Sequence, residues 1–454
     1  MSGLPFQAVV LWSDALLFLL AIGIGALLWW SRGQEHLRGA WRRLAASHTA
    51  MVSATLLAAF VVVGVIDSLH YRARLDPAAD GQVRYAVEVN SLLDVLLAPL
   101  RTRTEKTYSA PLATHLYAKE TVEMTQARDF PRLRHGGAHL GERLERHVED
   151  VIGTGLRGLA AGLAAWLLLA LFARLATAKV SPGGTALDAV LATLLGLALC
   201  AGPVVALAAD YHVLGTDKVG QDVLYLALKS IRTGLLIGTL TTLVMLPLAV
   251  FLGILAGYAG GWIDDVIQYL YTTINSIPGV LLIAAAVLMM QVVIDTHPQW
   301  FATSAERADA RLLALCLILG MTSWTGVARL LRGETLKLRE LEYVQAARAF
   351  GVGRFAIMAR HVLPNLMHIV LIALVMDFSG LVLAEAVLSY VGVGVDPSTI
   401  SFGTMINAAR MELAREPMVW WSLAAAFGFM FVLVLAANLF ADAVRDAFDP
   451  RLAR

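Results

Sequence analysis

Three groups of residues in this 454-residue chain have types and spacings that bear on chemistry. Gly153, Gly155 and Gly158 spell G-x-G-x-x-G, a turn that lets a backbone approach a dinucleotide pyrophosphate. That use needs a strand before the glycines and an acidic residue about 20 positions after them, inside a βαβ unit. Here a charged segment precedes them and an apolar run follows, so the pattern reads as a chance match. His147, Glu149 and Asp150 are metal-ligating types, but on a helix they read first as a solvated face. Asp377 and Glu385 lie eight residues apart inside one apolar run. An ionisable residue in such a run marks a transport pathway or a contact with a neighbouring helix or subunit. Both readings stay open for this pair.

Other chemistry is not expected. No P-loop, HExxH or GxSxG pattern occurs, so the chain is expected to be no enzyme and to bind no ATP itself. Cys200 and Cys316 each sit in an apolar run without a CxxC partner, which argues against a disulfide framework or a zinc site. The 36 Lys and Arg against 35 Asp and Glu leave a net charge of +1, with no basic excess for nucleic acid. No cofactor or metal is expected in this chain.

The elements that position these residues are read from hydropathy. Hydrophobic residues make up 58% of the chain and charged ones 16%, against about 25% charged in soluble domains. About 20 apolar residues cross a bilayer as a helix. Nine runs qualify: 8–30, 47–66, 156–176, 186–209, 233–258, 269–294, 312–331, 366–391 and 419–439. The expectation is an all-α integral membrane protein of about nine transmembrane helices, in contact with lipid. The first run has no Lys or Arg before it and ends in Trp29–Trp30. It therefore reads as an anchored span rather than a signal peptide.

Basic residues favour the cytoplasmic side. Arg32, Arg38, Arg42 and Arg43 follow the first run, which places the N-terminus outside. Alternation then puts 67–155 outside and Lys179 inside. It also puts the arginine-rich stretch 329–360 and the tail with Arg445, Arg451 and Arg454 inside. Along the chain this gives a hairpin over 1–66, an extracytoplasmic polar segment over 67–155, an extra span within 156–180, and a core over 181–454. Within the polar segment, 84–97 and 140–151 have helix-like apolar spacing. Pro278 is expected to kink the run 269–294.

The basic stretch contains Glu342-Tyr343-Val-Gln345-Ala346-Ala347-Arg-Ala-Phe350-Gly351, followed by Leu363-Pro364. On a helix, Tyr343, Ala346, Ala347 and Phe350 form one apolar stripe. Gly351 suits a helix C-terminus, and Pro364 suits the start of the next helix. Such a helix is too short to span. It either lies on lipid headgroups or docks a cytoplasmic partner.

This stretch resembles the "EAA" loop of ABC importer permeases. Four further blocks resemble the second membrane subunit of the dipeptide/oligopeptide permease family. They are Leu214-Gly-Thr-Asp217-Lys-Val-Gly220-Gln-Asp222, Glu385-Ala-Val-Leu-Ser389-Tyr-Val-Gly392-Val-Gly394, Ser401-Phe-Gly403, and Asn438 through Asp442 and Arg445 to Asp449-Pro450-Arg451. They cover roughly residues 210–454 in family order. Two departures stand out. Gln345 replaces the usual Glu before the paired alanines, which removes a charge from the docking helix. Gln221 replaces the usual Arg of Gly-Arg-Asp.

The resemblance implies a six-helix type I importer core preceded by three extra spans. It implies a permease for peptides or peptide-like solutes in the inner membrane. It also implies a homologous partner permease, two ABC ATPases that bind ATP and Mg, and a periplasmic solute-binding protein. In the coupling loop 332–364, it assigns ATPase contact to Glu342, Tyr343, Gln345, Ala346, Ala347, Phe350, Gly351 and Pro364. The rival reading is a secondary transporter or channel acting alone. It predicts inverted repeats or charges spread through several spans, and the sequence has neither.

Overall fold

The structure is a computed structural model and describes residues 6–31, 35–75, 84–121, 128–141, 143–177, 186–301 and 303–448. Arg32, Lys179, Asp449, Pro450, Arg451 and Arg454 lie outside the described residues.

Strand β1 (Phe6–Val9) leads into α1 (Trp12–Ser31), α2 (Glu35–Ala46) and α3 (His48–Asp67). Ser47 caps α3 by accepting the Ala50 N–H, a common helix start. The polar segment holds β2 (His70–Ala73), β3 (Asn90–Ser91), α4 (Leu92–Leu96), α5 (Ala98–Thr102), β4 (Glu120–Thr121) and β5 (Arg128–Asp129). β1, β2 and β3 form an antiparallel sheet in that order, with Val9 opposite His70 and His70 opposite Ser91. Then come α6 (His147–Thr177), α7 (Leu187–Leu207), α8 (Val223–Ala259), α9 (Gly261–Ser276) and α10 (Gly279–Thr296). The chain continues through α11 (Ser304–Ser323), α12 (Thr325–Leu338), α13 (Glu342–Ala349), α14 (Arg354–Ile357) and α15 (Leu363–Val391). It ends with α16 (Phe402–Arg410) and α17 (Trp421–Phe448).

The all-α membrane architecture holds. Among the described residues, eight helical stretches are long and apolar enough to cross a bilayer, and α1 adds the shorter apolar helix Trp12–Gly23. Two expectations change. The run 269–294 is two helices, not one kinked helix. Ile277 is extended, at φ −92° and ψ 132°, because a residue before proline is driven out of the helical region. Only α10 of that pair is a spanning candidate. In the polar segment, 84–97 is helical only over Leu92–Leu96, and 140–151 becomes α-helical only at His147. Short isolated helices nucleate poorly. Pairing of Asn90–Ser91 with β2 and the reciprocal cap between Ser91 and Asp94 decide the conformation instead.

The described chain gathers into two compact units. One comprises Met1–Val10, Trp41–Thr233 and Ile400–Ala436; the other comprises Leu11–Ala40, Gly234–Thr399 and Ala437–Arg454. These units do not follow the divisions at 66, 155 and 180 read along the sequence. The first unit joins the polar segment to α3, α6 and α7. Gly158, the last glycine of the chance G-x-G-x-x-G match, has a packing use there, and so does Gly162 beyond it. A Cβ on Gly158 would lie 2.5 Å from the Gly202 carbonyl oxygen, and one on Gly162 would lie 2.4 Å from that of Ala198. Small residues four apart let α6 and α7 approach backbone to backbone, as membrane helices do.

The second unit has two apolar clusters. One joins Met245, Ala249 and Ile254 of α8, Ile267 and Tyr271 of α9, Val327 and Leu331 of α12, Val344 of α13 and Leu366 of α15. The other joins Leu236 and Leu240 of α8, Leu312, Leu315 and Leu319 of α11, and Leu388 of α15.

Candidate functional site

The short helix α13 is rooted at one point and open elsewhere. Val344 is 2% exposed and belongs to the cluster shared by α8, α9, α12 and α15. Ala347, three positions on, packs half-buried against the same cluster. Glu342, Tyr343, Gln345, Ala346 and Phe350 are exposed, Phe350 at 86%. The apolar stripe expected from spacing is therefore split. Ala347 faces inward beside Val344, whereas Tyr343, Ala346 and Phe350 face out. Val344, one position after Tyr343, is the residue that enters the cluster, and Ala347 follows it one turn later.

Both ends of α13 are fixed. Gly351 adopts φ +77°, a conformation that costs a residue with a Cβ. The Gly351 N–H donates to Arg348 O and the Val352 N–H to Ala347 O, which together close a Schellman turn. At the other end, Gln345 Nε2 donates to Glu340 O at 3.1 Å. A glutamate carboxylate could not make that bond, so the departure to Gln has a local structural use. Tyr343 OH accepts from Asn365 Nδ2 at 3.2 Å, which ties the exposed face to the first turn of α15. Pro364 occupies that first turn, where its missing N–H costs nothing.

The helix leading into the loop is held rigidly. On α8, a Cβ at Gly253 would lie 2.6 Å from Ala328 O, and one at Gly257 would lie 2.7 Å from Arg332 O. The backbones of α8 and α12 thus touch. Arg332 of α12 donates Nε and Nη2 to the two Asp264 carboxylate oxygens of α9, each at 2.6 Å. That pairing holds the Asp264 carboxyl below its ordinary range. A displacement of α13 therefore moves with α12 and α15 through a packed cluster.

The two intramembrane carboxylates separate. Glu385 is 2% exposed and accepts from Ser389 Oγ at 2.6 Å, so within this chain it faces its own helices. Asp377 is half-buried, and its Oδ2 is a buried oxygen without a hydrogen-bond partner in the described structure. The block after Glu385 closes on Gly392, at φ +91°, and on Gly394. A Cβ on Gly394 would sit 2.6 Å from the Ser389 Cα.

Sequence reasoning missed a charged clasp on the first family block. His212 Nδ1 donates to Asp222 Oδ2 at 2.7 Å, and its Nε2 lies 3.5 Å from Glu105 Oε1. The second contact is an ion-pair distance rather than a close hydrogen bond. All three side chains are at most 4% exposed. Burial opposes the charge on Glu105. His212 and the N–H groups of Arg134, His135 and Gly136 overcome that and hold it at about 2. Burial likewise opposes the His212 charge, and Asp222 and Glu105 lift it to about 9. A second cluster lies nearby in sequence. Lys229 Nζ donates to Asp67 Oδ1 at 2.7 Å and to Ser91 Oγ and Asp94 Oδ2 at 3.2 Å each. The one available sequence signal was Lys229 itself, since a lysine beside a long apolar run requires a carboxylate. His147 and Asp150, weighed as metal ligands, bond instead to Leu112 O and to Tyr211 OH.

Residues 249–454 match the family described as "Binding-protein-dependent transport system inner membrane component". The chain is 31% identical over 239 residues to the oligopeptide transport system permease protein OppC of Mycobacterium tuberculosis, covering 53% of this chain and 76% of that relative. It is 32% identical over 243 residues to the glutathione transport system permease protein GsiD of Pectobacterium atrosepticum, covering 53% and 73%. With the dipeptide transport system permease protein DppC of Lactococcus lactis it shares 30% over 242 residues, covering 53% and 64%.

Proposed function

The chain belongs to the family of binding-protein-dependent transport system inner membrane components, and from that premise we propose the following assembly and cargo. This multi-pass inner-membrane permease pairs with a homologous permease to enclose a pathway for peptides or peptide-like solutes. Two ABC ATPases, which bind the ATP and Mg, dock on α13 of each permease, and a periplasmic binding protein delivers the solute. The N-terminus and the polar segment lie outside and the C-terminus in the cytoplasm. Asp377 lines the pathway or meets the partner permease.

One observation carries the docking assignment: α13 is rooted by Val344 in the cluster that joins α8, α9, α12 and α15, yet offers Tyr343, Ala346 and Phe350 outward. An exposed apolar face on a rigid lever fits a partner surface. The peptide assignment rests on relatives named for oligopeptide, glutathione and dipeptide transport.

The test is co-purification of the ATPase with the wild-type chain and with Ala346→Arg. The substitution places a long cation on the open face and touches no buried contact. The expected result is loss of the ATPase and of uptake from a correctly inserted chain. Normal ATPase binding by the variant would remove α13 as the docking site. Peptide uptake by the chain alone in liposomes, without ATP, would favour an independent transporter instead.

A further inference from the structure

Two arginines three residues apart on α12 have opposite circumstances. Arg332 is neutralised by both oxygens of Asp264. Arg329 has no carboxylate partner among the described residues; its guanidinium carbon lies 5.1 Å from the Tyr271 ring centroid, within cation–π range. The sequence places Arg329 both at the end of the apolar run 312–331 and at the start of the basic stretch, and in the structure it lies in the helical stretch Ser304–Leu338, a membrane-span candidate. An arginine charge in such a helix is costly unless it is compensated.

Arg329 borders an open cavity of about 480 Å³ lined by Tyr271, Thr272, Asn275, Ser276 and Arg329. The lining is rich in donors and holds no acid. Thr325 Oγ1 donates to Asn275 Oδ1 at 3.1 Å. The acceptor of that amide is thereby occupied, and its NH₂ is left as the group available to a ligand. Thr272 adds a hydroxyl group, the Ser276 hydroxyl donates to Thr273 O at 2.7 Å, and the Tyr271 ring lies against the guanidinium. A planar fork of donors beside an amide NH₂ and the Thr272 hydroxyl matches an oxyanion, which arginine binds in bidentate fashion. Break and cavity share one origin. The interruption at Ile277–Pro278 ends α9 at Ser276, so Asn275 and Ser276 sit in its last turn rather than inside a continuous helix.

We propose that the cavity bounded by Arg329, Asn275, Thr272 and Ser276 is an oxyanion site, and that it receives the terminal carboxylate of the transported solute. The identity of the solute rests on the peptide reading above; the site itself rests on the geometry. Arg329 and Asn275 are the binding residues, and Tyr271 and Thr325 are the positioning residues.

The test uses the assembled transporter in phosphatidylcholine nanodiscs, without the binding protein. Equilibrium binding of radiolabelled trialanine is compared with that of trialanine amide, for wild type and Arg329→Gln. Loss of a charge-assisted carboxylate contact should weaken trialanine about tenfold in the variant and leave the amide within about twofold. In the wild type, the amide should bind like trialanine does to the variant. Equal binding of the two peptides by wild type, no binding of either, or a preference that survives Arg329→Gln would overturn the proposal. If the preference disappears when anionic phosphatidylglycerol replaces zwitterionic phosphatidylcholine, the site is one for an anionic lipid headgroup and the solute assignment fails. A wild type that prefers trialanine in this assay but does not accumulate it in proteoliposomes would sink the peptide-import reading and leave the site standing.

Discussion

The clasp around His212 and the coupling helix α13 are built by opposite rules. At the clasp, Glu105, His212 and Asp222 are all at most 4% exposed, and each charge faces an opposite one. At α13 one valine is buried while Tyr343 and Phe350 stand in the open at 43% and 86%. A charge that is buried and paired is committed to its own chain, because removing one partner leaves an uncompensated ion. An apolar side chain left exposed on a rigid support costs the isolated chain little and is available to a partner. The contrast separates residues that hold the fold from residues that use it.

The sharpest way to break the comparison is His212→Ala. It leaves Glu105 and Asp222 buried without their common counterion and should cost about 3–5 kcal/mol. Denaturant unfolding of the detergent-purified chain measures it. A loss below about 1 kcal/mol would make the clasp a surface-like pair. Gly162→Leu comes next. Its side chain would start 2.4 Å from Ala198 O, and overpacking of this kind costs about 1–3 kcal/mol. The expected readout is a lower unfolding midpoint and freer protease access to the polar segment.

A pH series gives a smaller effect with a definite sign. His212 is lifted from 6.5 to about 9, so its contribution is complete below about 6.5 and is lost as pH rises through 9. Glu105 is lowered from 4.5 to about 2, so its contribution is present above about 4.5 and is lost as pH falls through 2. The clasp should be strongest between about pH 4.5 and 6.5 and should weaken progressively as pH rises from 6.5 to 9. His212→Gln should flatten that alkaline limb; an unchanged limb would assign it to other groups.

The coupling helix should show the reverse pattern. Phe350→Asp is expected to change stability by less than about 0.5 kcal/mol while abolishing ATPase association. Val344→Asp, which buries a charge in the cluster, should lower both. If Phe350→Asp destabilises as much as Val344→Asp, the open face is internal structure and the contrast collapses. The smallest effect belongs to Gln345→Glu, which removes one exposed hydrogen bond to Glu340 O. It should cost a few tenths of a kcal/mol, about the lower end for such a bond. For topology, exposed Thr104 is the position for a thiol probe in the polar segment, and labelling there by an impermeant reagent in intact spheroplasts is expected.

Much of this was legible in the sequence. Spanning helices announce themselves by length and composition, because a bilayer demands both. The ends of α13 were legible too: Gly351 and Pro364 fit their positions for local backbone reasons that do not depend on the rest of the fold. The break at Ile277–Pro278 was half legible. The proline was visible as a disturbance, but whether it bends a helix or ends one depends on what can satisfy the freed backbone groups.

The remaining features depended on contacts between residues far apart in sequence. Spacing could group Tyr343, Ala346, Ala347 and Phe350, but only the cluster formed by α8, α9, α12 and α15 decided that Val344 and Ala347 turn inward. Nothing local distinguishes Arg329 from Arg332; Asp264, 68 residues before Arg332, neutralises one and leaves the other beside a polar cavity. Glu105 and His212 are separated by 107 positions, and their charges acquire meaning only when burial brings them together. The sequence by itself determined which segments are apolar enough to span, where helices must stop and which family the core resembles, because these follow from side-chain chemistry read within a few turns. The tertiary structure alone decided which charges are spent on one another and which remain to meet a ligand, because electrostatic pairing is set by distance in space and by the exclusion of water.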